Sequence, residues 1–225
     1  MAVTRKELKD NAKQSLRGNW GWAIIVFLIT AIIFGIFTGA GHWLDETYIN
    51  YDGTNIFYQF ASPIGSILLW IGSFIGLSRN IAFLELRDDQ KEEKPYMAAF
   101  SVFTENRFGP ELINFVLVSI FTFLWTWLLI IPGIIKAYSY SMTPYIVKDM
   151  VASGKQVSAT DGINASKELM KGHKMALFIF DLSFFLGWNI LAAITCGIGY
   201  LWVTPYYQTA KANFYRHIAG DKFLK

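Results

Sequence analysis

Leu112–Ile131 reads LINFVLVSIFTFLWTWLLII, an unbroken run without a charge. As a helix rising about 1.5 Å per residue, a run of about 20 residues matches the roughly 30 Å hydrocarbon layer of a bilayer. Five further stretches belong with it: Trp20–Leu44, Ile64–Phe83, Ile134–Val147, Met175–Thr195 and Ile198–Tyr207. Trp20–Leu44 is long enough alone. Ile134–Val147 and Ile198–Tyr207 are short, but each runs on into polar-aromatic sequence, through Asp149 and Phe214. Both are expected to span with one side against protein or water. The expected fold is all-α, a polytopic membrane helical bundle with six transmembrane helices in a single integral membrane domain, residues 1–225.

The basic residues give the orientation, because Lys and Arg near membrane ends are retained on the cytoplasmic side. Arg5, Lys6, Lys9, Lys13 and Arg17 precede the first span, and Arg79, Arg87, Lys91, Lys94 and Arg107 are assigned between the second and third. Lys148, Lys155, Lys167, Lys171 and Lys174 lie between the fourth and fifth; Lys211, Arg216, Lys222 and Lys225 follow the sixth. The alternate connections, Gly41–Ser62, Pro132-Gly133 and Cys196–Gly199, carry none. Both termini are therefore expected in the cytoplasm and the chain in a plasma membrane.

Composition agrees. The chain is 53% apolar, 17% aromatic and 16% charged, against about 25% charged in an ordinary soluble domain. The net charge of +3 matters less than its one-sidedness, which suits anionic lipid headgroups and needs no nucleic acid. The first apolar run exceeds a signal-peptide core and reads as a retained anchor. Cys196 is the lone cysteine, so no internal disulfide or multi-cysteine metal site forms.

A repeat organises the chain. Lys13-Gln14-Ser15-Leu16-Arg17-Gly18 precedes the first hairpin, Lys167-Glu168-Leu169-Met170-Lys171-Gly172 the third, and Phe103 to Gly109 is a looser version before the second. Ser141-Met142-Thr143-Pro144-Tyr145 parallels Trp202-Val203-Thr204-Pro205-Tyr206. The unit is an interfacial amphipathic helix plus a transmembrane hairpin: repeat 1 covers 5–87 with an outer loop 41–62, repeat 2 covers 96–150, and repeat 3 covers 157–218. Leu8, Ala12 and Leu16 make an apolar stripe among lysines, the pattern of a helix lying on a membrane surface or of a linker helix with a few core contacts. Met97, Phe100 and Phe103, and Ile163 and Met170, give weaker versions. Lys13, Arg17, Arg107, Lys171 and Lys174 then form a lipid-facing basic collar. The loop Gly41–Ser62 is acidic and aromatic and either caps the outer face or is poorly ordered.

An ionisable residue inside a bilayer costs several kcal/mol unless it finds a partner or water. Asp181 and Lys136 qualify. Asp181 lies seven residues beyond Lys174, about 10 Å in, a depth that Tyr140 and Thr143 of the fourth span bracket. Their hydroxyls are the expected partners, while Lys136 either snorkels outward or reaches Asp181 through water. Lys136, Ser139, Tyr140 and Thr143 share one helix face, as do Thr204, Gln208, Lys211 and Tyr215. Pro144 and Pro205 each free a carbonyl one turn back, at Tyr140 and Leu201, and are expected to kink their helices. Gly35-x-x-x-Gly39 and Gly72-x-x-x-Gly76 permit close helix approach. These features suit a gate or cleft, and equally a well-packed bundle.

The sequence has no GxxxxGK[S/T], HExxH, GxSxG or Rossmann glycine triad. His42, His173 and His217 do not cluster, so no enzyme activity, metal or cofactor is expected. The segments ELKDNAKQSLRGNWGWA, IPGIIKAYSYSMTPYI, ELMKGHKMALFIFDLSFFLGW and CGIGYLWVTPYYQTAKANFY resemble a bacterial integral-membrane family, common in Gram-positive bacteria, known only as a domain of unknown function. That resemblance implies a bacterial plasma membrane and no activity. The expected role is non-enzymatic: binding lipid or a partner membrane protein in envelope homeostasis or resistance to membrane-active compounds. The alternative is a small-molecule or ion transporter or channel component with a polar path between the fourth, fifth and sixth spans.

Overall fold

The computed structural model describes residues 4–49, 58–103, 107–195 and 197–224, with side chains outside 41–49, 58–66, 69, 128, 130, 188, 189 and 191–193. These residues are all-helical, with no strand among them. The helices are α1 (Arg5–Leu16), α2 (Trp20–Ile49), α3 (Tyr58–Arg87), α4 (Pro95–Ala98), α5 (Phe108–Leu128), α6 (Ile130–Tyr140), α7 (Thr143–Ala152), α8 (Asp161–Leu169), α9 (Lys174–Ile194) and α10 (Tyr200–Ala219). A single 3₁₀ turn, Ser101–Phe103, follows α4.

Thr4 and Glu7 start α1 as a capping box: the Thr4 amide donates to Glu7 Oε2 at 2.7 Å and the Glu7 amide to Thr4 Oγ1 at 3.3 Å. Leu8, Ala12 and Leu16 are all buried. Their stripe is covered by protein rather than left for a membrane surface, because α1 lies along α10 and touches α3. Asn213 of α10 ties the two by donating to the Leu8 carbonyl at 3.3 Å. In contrast, Met97, Phe100 and Phe103 around α4 stay exposed.

Helices α2 and α3 run 30 residues each and form the most extensive pair. Gly72 makes their close approach possible: a Cβ there would lie 3.3 Å from Phe34 Cδ2 and Phe37 Cβ. Gly35, Gly39 and Gly76 meet nothing within 4 Å among the described residues, so one glycine of the two expected motifs is used there. Most of the expected outer loop 41–62 is helical, with α2 running to Ile49 and α3 starting at Tyr58. The remainder, 50–57, and Cys196 lie outside the described residues.

The second hairpin turns earlier than Pro132-Gly133. Leu129 is the extended residue between α5 and α6, and Pro132 falls in the first turn of α6, where its missing N–H costs nothing. Gly133 lets the helices cross: a Cβ there would sit 2.5 Å from Thr126 Oγ1 and 2.6 Å from its Cα.

The fourth apolar stretch is two helices. It breaks at Ser141–Met142, with Pro144 in the opening turn of α7, so the proline marks a restart rather than a kink. Ser166 of α8 fills the break: its hydroxyl donates to the Ser139 carbonyl at 2.8 Å and accepts from the Met142 amide at 3.3 Å, all buried. Pro205 lies inside a continuous α10, where the Thr209 hydroxyl donates to its carbonyl at 2.9 Å.

Among the described residues, Trp20–Ala40 and Phe108–Trp127 are long and apolar enough to cross a membrane. Both leave their apolar side chains outward, as do α6 and α9: Trp127 is 82% exposed, Ile131 73%, Ile194 73% and Phe123 67%. The core gathers instead around the end of α3, the start of α7 and the second half of α10, at Leu16, Phe83, Met142, Tyr145, Ile146, Met170, Phe180 and Tyr215. The three short helical segments pack in a consistent order: α1 on α10, α4 on α2 and α3, and α8 on α5, α6 and α7.

Candidate functional site

Asp181 on α9 is partly buried and bridges two neighbouring helices. The Tyr138 hydroxyl of α6 donates to its Oδ2 at 3.1 Å and the Tyr207 hydroxyl of α10 to its Oδ1 at 2.9 Å. Asp181, Tyr138 and Tyr207 line a cleft of about 410 Å³ together with Phe178, Phe184, Phe185, Tyr200 and Thr204. The cleft is mainly apolar, with one acid. Lys9 of α1 reaches its edge: the ammonium donates to Ser183 at 3.0 Å and sits 4.5 Å over the Phe184 ring. Burial pulls the Lys9 ammonium below its ordinary pKa, with Arg5 and Lys13 adding repulsion.

The expected partners of Asp181 lie elsewhere. Tyr140 packs near Phe121 at 6.4 Å, and the Lys136 ammonium sits 4.5 Å over the Trp125 ring, so both turn toward α5. Thr143, beyond the helix break, is buried with Oγ1 unpartnered among the described residues. The break explains the difference: α6 ends at Tyr140, so the four-residue stripe from Lys136 to Thr143 is not one face of one helix. On α10 the second stripe holds together better. Thr204 lines the cleft, Gln208 is buried, Lys211 lies 5.6 Å over the Tyr207 ring, and Tyr215 bonds Asp149.

A second group of polar side chains sits beside Asp181. Arg79 of α3 faces into the bundle within electrostatic reach of Tyr145 and Tyr207, and Lys211 lies within reach of both Arg79 and Asp181. Arg79 Nε, the Tyr145 hydroxyl and Gln208 Oε1 are buried without hydrogen-bond partners among the described residues. Arg79 therefore lies within a helix rather than in a loop between helices.

About one to two and a half turns further along α3, α7 and α10, a third group is fully paired. Arg216 holds Asp149 through Nη1 at 2.6 Å and Nη2 at 3.1 Å, and Asp88 through Nη2 at 2.5 Å and Nε at 3.2 Å. The Tyr215 hydroxyl adds 2.7 Å to Asp149, Lys148 lies 3.8 Å from it, and Arg87 binds Asp88 and Asn213. Burial alone would pull the Arg216 guanidinium down, but its bonds to Asp149 and Asp88 and their charges hold it above the ordinary arginine range. Burial, then the Asp149 charge, pushes the Tyr215 phenol up.

Of the five residues expected to form a basic collar, four have at least part of their surface open. Lys13 is exposed, 3.8 Å from Asp10 and 5.9 Å over Tyr206, and Arg17 and Lys171 are exposed with Lys174 half-buried. Arg107 leaves the collar: it pairs with Glu85 at 2.8 Å, both side chains only 10% exposed. Three members of the site were not singled out from sequence. Tyr138 and Tyr207 lie off the expected stripes, and Arg79 counts among the basic residues assigned between the second and third spans, although its place inside the 64–83 run is the signal for it.

No group of three or more potential metal ligands occurs among the described residues. Family comparison matches residues 1–139 and 127–222 to a family described as "Protein of unknown function (DUF975)", and the chain belongs to that family. No curated protein and no solved structure matches it.

Proposed function

We propose that this chain is a non-enzymatic, multi-pass protein of a bacterial plasma membrane that binds lipid, with six spans and both termini cytoplasmic, and that it serves envelope homeostasis or resistance to membrane-active compounds. The observation that carries the reading is the Asp181 cleft: an aromatic, mainly apolar trough on an apolar exterior, with ammonium groups at its edge. An acyl chain suits its walls and a polar headgroup its floor and rim. Two apolar spans and the outward apolar faces of α6 and α9 support the membrane setting. The repeat reading is supported by packing order, since each short segment rests on the preceding hairpin and α1 rests on the last. That order is what closure of three units around one axis produces.

The test is native mass spectrometry of the protein released with its surrounding bilayer from its host. A retained lipid is expected; a stoichiometric second protein with no lipid would assign it instead as an accessory subunit.

A second reading, transport, is favoured by one observation. Asp181 links α6, α9 and α10 through two tyrosine hydroxyls, a partly buried acid on the seam where a polar path would run. Asp181→Asn should then abolish flux in proteoliposomes without unfolding the protein, and unaltered flux removes the reading.

A further inference from the structure

The cations beside Asp181 are not balanced. Arg79 on α3 and Lys211 on α10 sit on helices that pack together, and Lys211 lies within electrostatic reach of Arg79 and of Asp181. Asp181 is already engaged by Tyr138 and Tyr207. Neither cation has a carboxylate within ion-pair distance among the described residues; Lys211 has only the face of Tyr207. Two positive groups, on the packed helices α3 and α10, thus face one negative group on α9. Water can satisfy a donor but cannot cancel a charge, and an uncancelled charge in low dielectric is costly.

The free polar atoms of the same place are donors or can act as donors. Arg79 Nε–H is shut off from solvent without an acceptor, and the Tyr145 hydroxyl, on a side chain 1% exposed, has no partner among the described residues. Gln208, 7% exposed, lies one turn before Lys211 on the same face of α10, with Oε1 unpartnered. Its amide can present either end. Guanidinium, ammonium, phenol and amide from α3, α7 and α10 make a donor set for an oxyanion, and a guanidinium paired with an ammonium is the chemistry that holds phosphate.

We propose that Arg79 and Lys211, with the Tyr145 hydroxyl and Gln208, hold a phosphate-type oxyanion, supplied by the headgroup of an anionic phospholipid or by free phosphate. For the headgroup source the site rests on the lipid-binding reading, with Arg79 about 12 Å from the end of α3. The Asp181 cleft then takes the lipid body and the cation group its charge.

The full-length protein in detergent is melted and weighed by native mass spectrometry with phosphatidylglycerol, phosphatidylcholine or inorganic phosphate. Phosphatidylglycerol should raise the melting temperature and stay bound, phosphatidylcholine much less. Arg79→Gln and Lys211→Gln should each weaken that retention by about tenfold or more, whereas Lys222→Gln, exposed and past α10, should not. Circular dichroism checks the fold, and Lys211→Gln decides the matter should Arg79→Gln misfold. Stabilisation by phosphate alone, lost in both variants, keeps the oxyanion site and removes the lipid source. Phosphatidylglycerol held equally by wild type and variants overturns the site while leaving lipid binding intact. A wild type that responds to neither compound overturns both.

Discussion

The helices α3, α7 and α10 carry two polar layers about one to two and a half turns apart, and the layers differ in one respect. In the end layer, Asp88, Asp149, Tyr215 and Arg216 satisfy one another through short, mostly charged hydrogen bonds. In the inner layer, Arg79, Tyr145 and Gln208 leave buried atoms unpartnered among the described residues. The same backbone positions both, so packing alone does not explain the difference. A saturated buried network holds elements in register, whereas open donors around excess charge are what a site waiting for a ligand looks like.

The largest expected effect tests the saturated layer. Asp149→Ala strips Arg216 and Lys148 of their shared carboxylate and should cost about 3–5 kcal/mol, read as a lower unfolding midpoint of the solubilised protein. A loss below about 1 kcal/mol would erase the contrast between the layers. Next is Ser166→Ala, which leaves the Ser139 carbonyl and Met142 amide unmet at the break between α6 and α7. About 1–3 kcal/mol is expected, with Ser166→Thr retaining part of it.

Asp181→Asn should be milder, below about 1.5 kcal/mol, because the amide oxygen still accepts from one tyrosine. Its sharper readout is ligand retention in the cleft. The smallest loss is expected from Arg79→Gln without lipid: removing a charge that has no ion pair among the described residues should leave the midpoint unchanged or raise it. A large loss there would make the inner layer as structural as the end layer.

Much of this was legible in sequence. The period-four stripe Leu8, Ala12, Leu16 marks α1, and the apolar runs mark the long helices. Asp181 stood out as an acid inside an apolar run. What the sequence hid came from long-range partners. The break at Ser141–Met142 is stabilised by Ser166, which lies on another helix. With the fourth span read as one helix, Tyr140 and Thr143 were placed opposite Asp181, and Tyr138 was missed. Arg107, beside a looser copy of the repeat motif, looked like a collar residue because nothing local announces its pairing with Glu85, 22 residues earlier.

Depths along the bilayer, and with them the meaning of both layers, follow from the proposed six-span, one-sided topology. The lone Cys196 lies in the connection expected outside, so a membrane-impermeant maleimide tests it directly in intact cells. Wild-type protein should be labelled without permeabilisation, and a Ser158→Cys variant in a Cys196→Ser background only after it. Labelling of Cys196 only after permeabilisation, with Ser158→Cys reactive from outside, would contradict the topology and the lipid-facing placement of the site.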